Sequence, residues 1–243
     1  MSPSDDTAPP EFVALARLMP SAMRQLLVDG VDPCSIELDE LADDLKLPLH
    51  MEEAYVLSHP GALSPAACTT LRELVDRERS TGVDTVDGAA DNQLNLSRER
   101  LESLIGVEAA QAALVDIPFA FCEREARMSA AADLRLGRLR TEIFVRRYTG
   151  NTRPWIPFHT DRAAITVNIA LCADATHDGG RLLAARNGKV RPIERAEGEA
   201  TVHDARLLHG VTRIVRGAKY SLIVFLGDKE VVIKSPSESP SQG

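Results

Sequence analysis

His159, Asp161 and His209 are the residue types that hold a non-heme iron. Two imidazoles and one carboxylate on a single octahedral face leave three positions open, the arrangement Fe(II) uses to activate dioxygen. Residues i and i+2 of a strand point the same way, so His159 and Asp161, read as lying on one strand, can reach one ion without backbone distortion. The trio implies an oxygenase. Because H-x-D recurs by chance, the weight rests on its setting. The stretch "RRYTGNTRPWIPFHTDRAAITVNIALC" brings an irregular segment into a long apolar strand at the pair, and "HDARLLHGVTRIVRGAKYSLIVFL" sets His209 shortly before Lys219.

The elements that must position these residues change character along the chain. From Thr141 onward, short β-branched runs separated by Gly, Asp and Asn predict strands over 142–148, 164–171, 181–185, 200–203 and 220–226. Upstream the spacing is helical. Phe12, Leu15, Leu18, Met23 and Leu26 predict helix between Glu11 and Gly30, broken at Pro20, where proline removes an interior hydrogen bond. Ser64 and Pro65 read as an N-cap and first helical residue, with Ala67, Leu71, Leu74 and Val75 on one face and Gly82 beyond the end. A polar loop is expected over 81–95, then a helix from Ser97 carrying Leu101, Leu104 and Ile105 to Gly106. Helices first and strands afterward make an α+β chain. The expected organisation is a disordered 1–10, a mainly helical part over 11–138, a β core over 139–234 and a disordered tail over 235–243.

A net charge of −8 argues against nucleic acid as a partner, since that affinity comes from clustered Lys and Arg. Cys34, Cys68, Cys122 and Cys172 are scattered without C-x-x-C spacing, which reads as reduced thiols and not as a disulfide framework or structural zinc. The first ten residues lack the features of a signal peptide and no apolar run approaches a membrane span, so a cytoplasmic location without membrane contact is expected.

With these residues in view, the region from about Leu139 to Leu226 resembles the iron(II)- and 2-oxoglutarate-dependent dioxygenases, and within them the prolyl 4-hydroxylase-like group. The resemblance extends loosely to "ALSPAACTTLRELVD" upstream. It implies a double-stranded β-helix, a jelly-roll or cupin-like barrel, buttressed by the N-terminal helices. It also implies that His159, Asp161 and His209 bind Fe(II), and that Lys219, ten residues after His209, anchors the far carboxylate of 2-oxoglutarate. Tyr148 and Ser221 would hydrogen-bond that carboxylate, and Gly179-Gly180-Arg181-Leu182 is similar to the family's glycine turn before a barrel strand. The expected cofactors are Fe(II), 2-oxoglutarate and O2, with ascorbate supportive in vitro. A carboxylate at Asp161, where halogenating relatives carry a small residue, implies oxygen transfer. Physical chemistry agrees about Lys219: an ammonium in an apolar barrel is costly unless it meets an anion.

His203 and His177 are rival ligands, and His209 is preferred for its distance from Lys219 and its "LLHGV" setting. His50 and His59 read as structural or solvent-exposed. Trp155, Phe158, Arg162 and Gln93 are the candidate substrate contacts, each with a plain alternative as packing or surface residues. The functional expectation is hydroxylation of a small molecule, such as a free amino acid or a biosynthetic intermediate. Two alternatives stand beside it: prolyl or other side-chain hydroxylation of a peptide or protein, and a non-catalytic cupin-like binding or sensing protein.

Overall fold

Alternation along the strands organises the β half. The computed structural model describes residues 8–35, 55–80, 82–125, 128–135, 137–186 and 189–228. His50, Thr81, residues 1–7 of the expected disordered segment 1–10 and the expected disordered tail 235–243 lie outside the described residues, while Pro10 already opens a helix. In chain order the strands are β1 Val56–His59, β2 Gln93–Leu96, β3 Thr141–Thr149, β4 Ile156–His159, β5 Ala163–Ala170 and β6 Asp178–Gly179. They continue as β7 Leu182–Arg186, β8 Lys189–Ile193, β9 Ala200–Asp204, β10 His209–Val211, β11 Ile214–Arg216 and β12 Ala218–Asp228. A major sheet runs β1-β9-β5-β12-β3-β2, a minor sheet runs β4-β10-β7-β8, and β6 pairs with β11 in a small ribbon. Every pairing is antiparallel.

The two faces of the major sheet have opposite chemistry because successive side chains point to opposite sides. Leu94, Val145, Ile165, Val167, Val202, Leu222 and Val224 share one face and join the main apolar cluster with Leu71, Leu74, Leu101, Leu114 and Phe121 of the helices. Each such fully buried side chain contributes about 1.5–3 kcal/mol. The residues between them face the minor sheet. Register pairs Lys219 with Tyr148, Ser221 with Arg146 and Ile223 with Phe144 on one side of β12, and Ile223 with Asn168 and Phe225 with Thr166 on the other. These inward residues give the space between the sheets a wall that is polar at Lys219, Tyr148, Ser221, Arg146, Asn168 and Thr166 and apolar at Phe144, Ile223 and Phe225.

The helices follow their capping signals. Ser64 accepts a hydrogen bond from the Ala67 amide at 3.2 Å and opens the helix Pro65–Glu78. Ser97 does the same for the Arg100 amide at 3.2 Å and opens Arg98–Ile105, which stops at Gly106. The N-terminal segment forms Pro10–Leu18 and Ser21–Leu27, divided at Pro20, and Ile117–Arg124 and Met128–Arg135 complete the buttress. Among the described residues no helix is long and apolar enough to cross a membrane.

β3, β5, β7, β9 and β12 lie within a few residues of their predicted positions, and β8 and the shorter strands were not foreseen. The polar stretch read as loop to residue 95 ends as β2, an edge strand on β3. In the β6 turn, Gly179 has φ +74° and an added Cβ would lie 1.9 Å from the Arg213 carbonyl oxygen, so only glycine fits that approach.

Candidate active site

The minor sheet brings the two histidines together. β4 and β10 pair so that His159 and His209 are direct cross-strand partners, with ring centroids 4.4 Å apart. The strand reading of the H-x-D pair needs correction: β4 ends at His159, and Asp161 lies in the turn leading into β5. Its carboxylate is aimed by a tether, since Thr166 Oγ1 on β5 donates to Asp161 Oδ2 at 2.6 Å. Asp161 Oδ1 then sits 3.5 Å from His159 Nε2 and 3.8 Å from His209 Nε2. The three ligand atoms lie within 4.8 Å of one another.

The tautomers suit a cation. His159 Nδ1 lies 2.8 Å from the Pro157 carbonyl and His209 Nδ1 lies 3.1 Å from the Leu207 carbonyl, so each Nδ1 carries the proton it donates there. Each Nε2 is thereby left with its lone pair toward the common point. Burial drives the His209 pKa down to about 3, against the attraction of Asp161, which keeps the ring neutral. Burial also opposes ionisation of Asp161, but His209, His159 and His203 outweigh it and hold the carboxyl below the usual carboxylate range. Two imidazoles and one carboxylate are a donor set that fits Fe(II). His203 lies nearer than expected, with its ring 4.9 Å from that of His209, but its Nε2 approaches Asp161 Oδ2 at 3.7 Å, whereas His159 and His209 approach Oδ1.

This centre opens on a cavity of about 490 Å³ between the sheets, walled by Phe144, Arg146, Tyr148, Phe158, Asn168 and Phe225 among others. Val83, Asp84, Thr85, Val86 and Asp91 also line it, so part of the polar loop forms its roof. That roof is pinned. Arg153, fully buried, lies 3.0 Å from both Asp84 and Asp87, and Arg146 meets Asp84 at 2.8 Å. Burial opposes the charge on Asp84, but Arg146 and Arg153 prevail and lower its pKa.

A second buried cluster lies beyond Tyr148 and Asn168. Lys219, 2% exposed, donates to Asp174 Oδ1 at 3.0 Å. Burial and then the Arg195 guanidinium pull its pKa down to about 8. Arg195 donates through Nη1 to Asn168 Oδ1 at 2.8 Å, while its Nε and Nη2 are buried without a hydrogen-bond partner. Ser221 Oγ is likewise buried without one. His177 adds no charge: its Nδ1 is 2.8 Å from the Gly179 carbonyl, and burial, then Lys219, lowers its pKa. Unspent donors beside two cations fit the distal carboxylate of 2-oxoglutarate.

The remaining candidates are dispersed. Gln93 lines the cavity and accepts from Arg146 Nη2 at 2.6 Å. Phe158 faces the cavity from one edge and packs with Leu27 and Leu183 on the other. Arg162 lies at the cavity rim, exposed and ion-paired with Glu142. Trp155 does not line the cavity; it is buried edge-on against Phe12 at 5.2 Å, a packing role that the N-terminal helix creates. His59 is exposed at the end of β1. Asp174, Arg195, Asn168, Thr166 and Arg146 were not singled out from the sequence, although the alternation of β5 and β3 would turn Thr166, Asn168 and Arg146 inward.

No family model matches the chain. No curated protein matches it by sequence. Solved structures do match in shape. A prolyl-4-hydroxylase from Pseudomonas putida aligns with TM-score 0.50 and 19% identity over 79% of this chain and 98% of its own. The dioxygenase for auxin oxidation 1 from Arabidopsis thaliana, in its binary complex with 2-oxoglutarate, aligns with TM-score 0.51 and 13% identity over 83% and 91%. The likeness establishes the fold: the double-stranded β-helix of the 2-oxoglutarate- and Fe(II)-dependent oxygenases.

Proposed function

We propose that this protein is an Fe(II)- and 2-oxoglutarate-dependent oxygenase that hydroxylates an unactivated C–H bond of a small molecule, such as a free amino acid or a biosynthetic intermediate. The observation that carries the reading is the convergence of His159, Asp161 and His209 on one point of the cavity wall, beside a buried basic cluster with donors to spare. Iron and 2-oxoglutarate would supply the oxidation, in which substrate, O2 and 2-oxoglutarate give hydroxylated product, succinate and CO2.

The chain's own part is positioning and shielding. His159 and His209 present Nε2 because their Nδ1–H groups are committed to carbonyls, and Thr166 fixes the rotation of Asp161. The buried basic cluster around Lys219, with Tyr148 and Ser221, would receive the distal carboxylate of 2-oxoglutarate. Charge-assisted hydrogen bonds are the stronger kind, and the burial of Lys219, Tyr148 and Ser221 strengthens them further. Phe144, Ile223 and Phe225 keep that wall apolar near the metal. Phe158, Gln93 and Arg162 stand where a substrate would enter, and Trp155 supports the wall from behind.

The pinned roof and the cavity volume favour a small molecule, since pockets for such ligands measure roughly 300–1,000 Å³. A peptide substrate is the second reading, favoured by the similarity to a structure named as a prolyl-4-hydroxylase. A non-catalytic barrel would bind without turnover. Purified protein with Fe(II), ascorbate and 2-oxoglutarate is expected to form succinate only in air, and His159→Ala is expected to abolish it. Screening amino acids, metabolites and proline peptides for stimulation then separates the substrate classes. Failure of the metal-loaded protein to bind or consume 2-oxoglutarate would overturn the oxygenase reading.

A further inference from the structure

Within the oxygenase reading above, on which this inference rests, the buried basic cluster raises a question of charge. Lys219 is the expected anchor, but Asp174 already occupies it at 3.0 Å. Asp174 is itself held in place: its Oδ2 accepts the Arg195 amide at 3.1 Å, and its own amide donates to the Arg195 carbonyl at 3.1 Å. This mutual clasp makes Asp174 a fixed part of the wall.

Lys219 and Arg195 bring two positive charges and Asp174 one negative, so the cluster keeps one uncompensated charge. Tyr148, Cys172 and Glu199 exert only weaker pulls on Arg195. The surplus belongs with Arg195, whose Nη2 is 3.9 Å from Asp174, beyond hydrogen-bond range, and whose Nε and Nη2 have no partner. Burying such donors unpaired is costly, more so when they are charged, unless a ligand completes them. Ser221 Oγ is a third unspent donor, on β12 two residues from Lys219 and on the same face.

Position along β5 supplies a ruler. Thr166 holds Asp161, and Asn168, the next inward residue, holds Arg195. Consecutive inward residues of an antiparallel strand are about 7 Å apart. A five-carbon diacid spans about 5 Å between its terminal carbons at about 1.5 Å per C–C bond, and its carboxylate oxygens extend that reach.

We propose that Arg195, held by Asn168, is the residue that reads the distal carboxylate of 2-oxoglutarate, with Ser221 beside it, and that the Lys219–Asp174 pair stays intact as a neutral floor. Arg195 thereby confers selectivity for a 2-oxo diacid over a 2-oxo monoacid.

The test is anaerobic titration of Mn(II)-loaded protein with 2-oxoglutarate and with 2-oxobutyrate, which lacks the distal carboxylate. Arg195→Gln and Asn168→Asp, the latter placing a competing carboxylate on the guanidinium, are expected to weaken 2-oxoglutarate binding by about 30- to 100-fold. Binding of 2-oxobutyrate stays within about threefold of the parent. Ser221→Ala is expected to weaken 2-oxoglutarate binding about tenfold while raising the melting temperature of the metal-free protein, because it removes an unsatisfied buried hydroxyl. Folded Arg195→Gln or Asn168→Asp protein that keeps parental 2-oxoglutarate affinity overturns the assignment, and so does equal loss of both acids, which would mean a merely structural role. If Arg195→Gln fails to fold, Asn168→Asp decides. Parent protein that binds Mn(II) but neither acid overturns the oxygenase reading, and this inference with it.

Discussion

Thr166→Val isolates the part of the metal centre that lies outside the three ligands. Valine keeps the shape and β-branching of threonine, so β5 retains its pairings with β9 and β12, and only the hydroxyl is lost. In the parent that hydroxyl donates to Asp161 Oδ2 at 2.6 Å, with Thr166 2% and Asp161 6% exposed, so solvent neither competes for the bond nor screens it. A hydrogen bond to a charged group contributes about 1.5–3 kcal/mol, and losing such outer partners costs roughly 10–100-fold in metal affinity. The two scales agree, since tenfold is about 1.4 kcal/mol. His203 Nε2, 3.7 Å from the same oxygen, does not replace the bond, because the His203 ring proton faces the Asp204 carbonyl from Nδ1 at 3.0 Å, so the expectation is the full range of about 10–100-fold. Co(II) or Mn(II) titration of the folded variant measures it, and Thr166→Ser should recover most of the affinity. A valine variant that binds metal within about threefold of the parent would refute the view that this hydroxyl sets the carboxylate's orientation.

Two further outcomes follow from the buried charges. Burial, then Arg195, takes the Lys219 pKa from 10.5 to about 8, so between those values the unfolded chain holds the proton more firmly than the folded one. Stability of the metal-free protein should therefore rise as pH climbs from about 8 toward 10.5, and urea midpoints should lose that rise in Lys219→Met; an unchanged slope would sink the assignment. Arg153→Met leaves the Asp84 and Asp87 side chains, each 3% exposed, with less compensation. A cost of roughly 3–5 kcal/mol in denaturant unfolding is expected, together with faster proteolysis at 82–92, because breaking one partner of a buried pair leaves its charge stranded.

What the sequence disclosed is local, and what it concealed is assembled from afar. Ser64 with Pro65 and Ser97 with Gly106 are complete signals, because a cap and its helix are neighbours in the chain. β12 is legible because Lys219, Ser221, Ile223 and Phe225 alternate with Leu222, Val224 and Leu226 over a whole strand. β4 and β10 hold the histidines, yet each is too short to display a period, and Pro157 and Gly210 obscure their propensity. Trp155 misled because its neighbours are cavity residues, while the contact that buries it comes from Phe12 at the other end of the chain. Lys219, Asp174 and Arg195 meet from one strand and two separate connections, so no window of sequence contains the cluster.

The polar interior also explains why ligands should settle where they are assigned. Most buried charges between the sheets are paired: Arg146 and Arg153 with Asp84, Arg153 with Asp87, and Lys219 with Asp174. Two places are left unbalanced along the same face of β5. At Thr166 a carboxylate faces the Nε2 atoms of two imidazoles and calls for a cation; at Asn168 a guanidinium with spare donors calls for an anion. A molecule that chelates a metal at one end and carries a carboxylate at the other resolves both at once, and neither a monoacid nor a metal alone does. Stability of the protein should accordingly respond more than additively to metal and 2-oxoglutarate together, since each ligand completes the site for the other. Melting temperatures with Mn(II), with 2-oxoglutarate and with both measure this, and purely additive shifts would mean that the two sites are independent.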